Sequence, residues 1–193
     1  TDRFRHLKLL LFWPVFGLLF TYLERLRPVA HYHAVHCFLD DVIPFCEVFL
    51  IPYLLWFVAL GGMVLYTLVF DVRAFRKLMG FVICTYSVTL VIYLFFPTCQ
   101  ELRPETFARD NVLTRFLGWF YTFDTNTNVC PSLHVIGSAA VMFTAWHARG
   151  LSGRAGRIAF TVLAVLISLS TVFLKQHSAI DVLAAVPVCA VGY

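Results

Sequence analysis

Two histidines stand where a titratable side chain is costly. His134 closes the stretch Asn128-Val129-Cys130-Pro131-Ser132-Leu133-His134 at the head of an apolar run. His177 follows another apolar run, in Lys175-Gln176-His177-Ser178-Ala179-Ile180-Asp181. Ionisable groups at membrane depth mark functional sites by default. His177 and Asp181 are four apart, a spacing that on a helix puts both on one face. A carboxylate accepting the Nδ1 proton fixes the tautomer and leaves Nε2 with a free lone pair, the state a nucleophile or base needs. A helix-start histidine capped by a local acid explains that pair alone, but not the second histidine at the same membrane face. Pro131 suits the first turn of a helix, so a helix beginning near Cys130–Pro131 would turn its free N–H groups outward. Such an end binds phosphate, and Ser132 adds a hydroxyl donor. Together these residues point to phosphoryl transfer.

The elements that must position them are membrane helices. The 193 residues are 60% hydrophobic and only 13% charged, about half the charge of a soluble domain. Apolar runs at 9–22, 49–70, 80–96, 133–146, 158–174 and 182–193 read as six spans of a single all-α, integral membrane domain covering 1–193. The first run has charged flanks and no small-residue cleavage site, so it reads as a span and not a leader. The last run meets no polar stop, which implies continuation beyond Tyr193. Arg3, Arg5, Lys8, Arg73, Arg76, Lys77, Arg149, Arg154 and Arg157 fall on one side, with only Asp2 and Asp71 among the acids. The other side carries the remaining six basic and nine acidic residues. The positive-inside rule then places both termini in the cytoplasm and the connections at about 24–43, 97–131 and 171–181 outside, the long ones as a loop cap. Basic residues beside membrane ends need no nucleic-acid partner.

The connection at 97–131 is long enough to be functional, and Val112–Tyr121 has the apolar spacing of a short interfacial helix. Cys99 and Cys130 bound that loop. A disulfide between them would close about 30 residues, worth ~3–4 kcal/mol; the alternative is two small apolar residues at span ends. His31, His33, His36, Asp40 and Asp41 cluster in the first outer connection, a composition that interfacial segments gather more often than metal sites do. No metal or other cofactor is expected.

Pro-Ser-Leu-His at 131–134, then Ser170-Thr171, five residues, His177, three residues and Asp181, resembles the second and third signatures of the type 2 phosphatidic acid phosphatase superfamily. That superfamily usually shows Pro-Ser-Gly-His and Ser-Arg-x5-His-x3-Asp. Its six spans with a site at one membrane face match most of the chain. The segments at 40–45 (DDVIPF) and 96–104 (FPTCQELRP) resemble its inositol-phosphotransferase-like branch. The resemblance implies that His177 attacks phosphorus, Asp181 orients it, and His134 protonates the leaving oxygen and then activates the acceptor. Ser132, Ser170, Thr171 and Arg103 would bind phosphate, and Lys175 would replace lost charge. Leu133 stands for the usual Gly, Thr171 for the usual Arg, and Phe96 where the first signature's Lys is expected.

The expected function is a lipid-phosphate phosphatase working at the extracytoplasmic face through a phosphohistidine, with membrane lipids as surroundings and substrate. Transfer of the phosphoryl headgroup to an alcohol uses the same residues. A reading from another class is a catalytically inactive lipid-binding protein. Transport is disfavoured, because the polar residues gather at one interface and no internal repeat is visible.

Overall fold

The structure is a computed structural model that describes residues 2–193, with side chains from residue 4 onward. Asp2 and Arg3, two of the charges assigned to the first flank, have side chains outside that description. The chain is mostly helical. A 3-10 segment (Asp2–Leu11) leads into α1 (Phe12–Thr21), which ends in a π turn (Tyr22–Leu26). Then follow α2 (Phe38–Val42), α3 (Leu50–Phe70), α4 (Val72–Phe95), α5 (Val112–Phe123), α6 (Leu133–His147), α7 (Arg154–Phe173) and α8 (Ala179–Gly192).

Four stretches among the described residues are long and apolar enough to cross a membrane: Phe4–Leu26, Glu47–Phe70, Val72–Phe95 and Arg154–Phe173. The runs expected as fourth and sixth spans form shorter helices, α6 of 15 and α8 of 14 residues. At 1.5 Å per residue each is roughly 20 Å long, short of the ~30 Å hydrocarbon layer. The third expected span begins earlier than its apolar run. Arg73, Arg76 and Lys77 lie inside α4 and not in a connection, because Asp71 caps the helix by accepting from the Ala74 N–H at 3.0 Å.

Helix α6 sits at the centre, packed on α3, α4, α7 and α8. Lipid tails give helices no hydrophobic reason to associate, so close backbone approach through small residues must do it. Gly137, Ser138, Ala140 and Ala145 are the buried small residues of α6. Ala140 and Ala145 share the main core with Leu60, Met63, Val82, Tyr86 and Val188. At one end of the bundle, Asp71 accepts the Arg149 N–H at 2.9 Å and Tyr66 donates to the Arg149 carbonyl, tying the α3–α4 and α6–α7 connections together. His6 packs on Phe75 at that same end. At the other end the long connections interlock. His33–Ala34 (β1) pairs in parallel with Thr98–Cys99 (β2), and Cys99 bridges antiparallel to Thr127. The short helix expected at 112–121 is present as α5, started by Asn111, whose side chain accepts from the Leu113 and Thr114 N–H groups.

A Cβ on Gly137 would lie 2.7 Å from the Trp56 indole nitrogen and 2.8 Å from the Tyr86 hydroxyl. Gly137→Ala is therefore expected to destabilise the protein by about 1–3 kcal/mol, the usual cost of overpacking, read as a lowered thermal midpoint in detergent.

Candidate functional site

The Pro-Ser-Leu-His segment is held from three directions. Tyr93 of α4 donates to the Pro131 carbonyl at 2.7 Å. The buried Thr98 hydroxyl accepts the Val129 and Cys130 N–H groups, each at 3.1 Å. The Ser132 N–H donates to the Asp181 carbonyl at 3.1 Å, fastening the start of α6 to the start of α8. Pro131, expected inside the first turn of α6, instead precedes it across a cis Cys130–Pro131 bond, and Ser132 takes the cap position in extended geometry. No side chain caps that end, so the first N–H groups of α6 keep the free valences every helix start has. The Ser132 hydroxyl is fully buried and has no hydrogen-bond partner.

His177 and Asp181 meet, but not on a shared helix face. His177 lies in the turn before α8, and Asp181 is the third residue of that helix. Asp181 Oδ2 accepts the Ser178 N–H at 2.9 Å while the Ser178 hydroxyl accepts the Ile180 N–H, a reciprocal cap. The same Oδ2 meets His177 Nδ1 at 3.1 Å. Asp181 is fully buried and His177 is 7% exposed.

The turn before α8 is itself fixed by the end of α7. Lys175 takes a left-handed φ of 56°, and the Gln176 and His177 N–H groups both return to the Thr171 carbonyl. That is a helix-ending motif usually given to glycine. His134 completes the pair: its ring lies 5.7 Å from the His177 ring, centroid to centroid. It rests against Tyr53 at 4.4 Å and Trp56 at 4.5 Å, and its Nε2 is buried without a partner. A cavity of about 60 Å³ opens beside both histidines.

Of the residues expected to bind phosphate, Ser132 alone has an uncommitted hydroxyl. The Ser170 and Thr171 hydroxyls donate back into α7, to the Ile167 and Ser168 carbonyls, as hydroxyls within helices commonly do. The Lys175 ammonium donates to the Asp40 and Ile43 carbonyls at 2.6 Å each, because it lies under α2 and its open C-terminal end. Arg103 donates to the Tyr121, Asp124 and Thr125 carbonyls and to Gln176 Oε1, closing the end of α5 over the Tyr121 ring. It borders the cavity through Asp124, Thr125 and Gln176, all three of which line it. Arg109 pairs with Glu47 at 3.4 Å and Arg115 with Asp110 at 2.7 Å, both arginines being exposed.

All six cysteines are free thiols, so the cross-link considered between Cys99 and Cys130 is not formed. Burial, and then the Asp181 carboxylate, push the Cys130 thiol up to about 12. The histidines of the first connection make local contacts. His36 pairs with Asp41 at 2.9 Å, and His33 stacks on Phe96 at 4.2 Å.

Three acids beside the histidines are not singled out by the sequence as part of this site. Asp40, counted with the histidine cluster, is buried and accepts from the Ser178 hydroxyl at 2.5 Å, the Ala179 N–H at 2.8 Å and the Cys37 N–H at 2.8 Å. The Ser-x-x-Asp cap at 178–181 was the readable sign that this turn needs an external acceptor. Asp124 Oδ2 accepts from the Tyr53 hydroxyl at 3.0 Å and from Gln176 Nε2 at 3.2 Å. Burial raises its pKa, against the opposing pull of Tyr53, Arg103 and His177. Glu24 accepts from the Asn128 amide at 2.8 Å and from the Thr125 and Thr127 hydroxyls.

Comparison with protein-family models, with curated proteins and with solved structures finds no match.

Burial works to raise the Asp40 pKa, but the hydrogen bonds from Ser178, Ala179 and Cys37 outweigh it and hold the carboxyl below its ordinary value. The stability this provides is present above the usual carboxylate range, near 3.9, and is lost as pH falls through the lowered value. Asp40→Asn is expected to cost about 2 kcal/mol at pH 7, the scale of one hydrogen bond to a charged acceptor. The difference from the parent protein should shrink below about pH 3, a range set by the same ordinary pKa; denaturant titrations at the two pH values check it.

Proposed function

We propose that this protein is a membrane lipid-phosphate phosphatase of the type 2 phosphatidic acid phosphatase kind, acting through a phosphohistidine on His177. The observation that carries the reading is the buried Asp181–His177 pair facing His134 across a small cavity at the uncapped start of α6. In the first step His177 Nε2 attacks phosphorus while the bond to the lipid alcohol breaks. His134 gives that departing oxygen a proton, and Asp181 holds the imidazole in the required tautomer and balances its charge. Water then attacks the phosphorus, its proton passing to His134, and the P–N bond breaks to release phosphate. The free N–H groups of α6 and the Ser132 hydroxyl would stabilise the charge on the phosphoryl oxygens.

An apolar cleft of about 410 Å³ supports a lipid substrate. Val135, Ala139, Val172, Ala179 and Leu183 are among its lining residues, so it starts one residue from His134 and two from His177. In the proposed arrangement α6 and α8 complete a six-helix bundle with the four longer helices, the interlocked connections form a cap on the extracytoplasmic side, and both termini are cytoplasmic. Transfer to an alcohol in place of water needs no further residue. A second reading, an inactive lipid-binding protein, draws on the commitment of Arg103 and Lys175 to carbonyl groups, which leaves the phosphate site without a close cation.

Release of inorganic phosphate from phosphatidic acid by the purified chain separates the readings. Activity is expected, with His177→Ala reducing it at least on the order of a thousandfold and Asp181→Asn by about 10²–10⁴. Full activity in His177→Ala would contradict the mechanism, and an inert parent protein would leave the binding reading.

A further inference from the structure

The cavity beside the histidines is closed on one side by a helix that the bundle holds loosely. Phe20 and Glu24 of the first long helix, Phe4–Leu26, are part of its lining. Among the side chains described in that helix only Leu23 is buried, and α1 itself buries none. Its apolar contact includes a row of rings laid along α4: Trp13 at 6.0 Å and Phe16 at 5.0 Å from Tyr86, then Phe20 at 6.5 Å from Tyr93. Polar contacts gather at the site instead. Glu24 accepts from the Thr125 and Thr127 hydroxyls and from the Asn128 amide at 2.8 Å. Arg25 donates to the Phe123 carbonyl at 2.8 Å, and Arg27 to the Tyr93 carbonyl at 3.4 Å. All three side chains belong to the π turn Tyr22–Leu26 or to the residue that ends it, a distortion that recurs at functional sites.

Asn128 holds a left-handed φ of 51° directly before the Val129–His134 segment, so the carboxylate that grips its amide also steadies the turn leading to His134. Leu133, which stands where Pro-Ser-Gly-His has its Gly, packs with Phe16 and Phe20 against the small core of Leu23, Leu90 and Tyr93. The cavity is about 60 Å³, well below the ~300–1,000 Å³ of a pocket that holds a small molecule. A lipid phosphate therefore enters only if a wall moves. The other walls are tied, the head of α6 to Tyr93 and the Asp181 carbonyl, and the Asp124–Thr125 segment to Arg103.

We infer that the first long helix is the moving wall of the site: it swings off α4 to admit the lipid phosphate and closes over it, with Glu24 as latch and Leu133 as seat. The inference rests on the function proposed above and gives that site its entrance. Closure shuts out bulk water and returns Asn128, and through it His134, to working geometry, as lids of other enzymes do. Glu24 is a positioning residue, since it acts through Asn128 and the helix and not on phosphorus.

The test uses the full chain in lipid nanodiscs with unnatural spin-labelled side chains at Leu19 on the helix and Val91 on α4, both exposed. Two distances are expected, one several ångströms longer than the other. Glu24→Gln should raise the long population relative to the short by about tenfold or more, the scale of one hydrogen bond to a charged acceptor. Leu133→Ala should shift it in the same direction. A single distance that neither variant alters would overturn the gate. A second arm places cysteines at Leu23 and Leu90, neighbours in the small core. Oxidation should lower phosphate release from phosphatidic acid at least about tenfold by locking the lid, and reduction should restore it, which separates locking from misfolding. The parent and each single variant treated alike should keep their rates. A cross-linked double variant that turns over at the reduced rate would also overturn the gate. The distances need no turnover, so two populations in an inert parent would retain the moving helix and sink the phosphatase, whereas one unaltered distance in an active protein would do the reverse.

Discussion

One carboxylate oxygen organises the site. Asp181 Oδ2 receives the Ser178 N–H that starts α8 and lies against Nδ1 of His177. The same atom is thus a structural cap and an orienting group, so the helix cannot begin without presenting the imidazole. The Asp181 carbonyl also takes the Ser132 N–H, which sets the head of α6, with His134, against the head of α8. Buried charge of this kind is stable only while its hydrogen-bond partners are all present. The rest of this end of the bundle can be understood as keeping them present.

Asp40 does so from outside, gripping the Ser178 hydroxyl and the Ala179 N–H, while Lys175 pins the same short helix α2 through its carbonyls. Tyr93, Thr98 and the paired strands β1 and β2 hold the other half of the site against α4. Below, Gly137 lets α6 approach Trp56 and Tyr86 closely. Trp56 in turn flanks the His134 ring, so packing deep in the bundle and the position of His134 are one constraint.

The histidines and Asp181 were legible in the sequence because their spacing is local and their presence beside apolar runs is costly. The His177–Asp181 spacing suggests a shared helix face, whereas the contact comes from a cap across the helix start. Arg73, Arg76 and Lys77 read as a connection and lie in α4, since long basic side chains can run along a helix to the interface. The span count rested on apolar runs of similar length. For α6 that run is carried by small residues facing protein, so hydropathy said little about its length. Glu24, Asp40 and Asp124 were not legible as site residues. Their roles depend on contacts 50 to 140 positions away in the chain, which no local pattern encodes. The family motif assigns Ser170 and Thr171 to phosphate and nearness to the lost cations suggests Lys175, whereas local backbone geometry directs their polar groups elsewhere.

The central claim is that His177, held by Asp181, becomes covalently bonded to phosphorus during turnover. Brief incubation of the purified protein with a ³²P-labelled lipid phosphate, quenching in alkali and peptide mapping tests it directly. The account predicts an acid-labile, alkali-stable phosphate on the peptide carrying His177, absent from His177→Ala. Product formation with no such label, or a label on another residue, would contradict it.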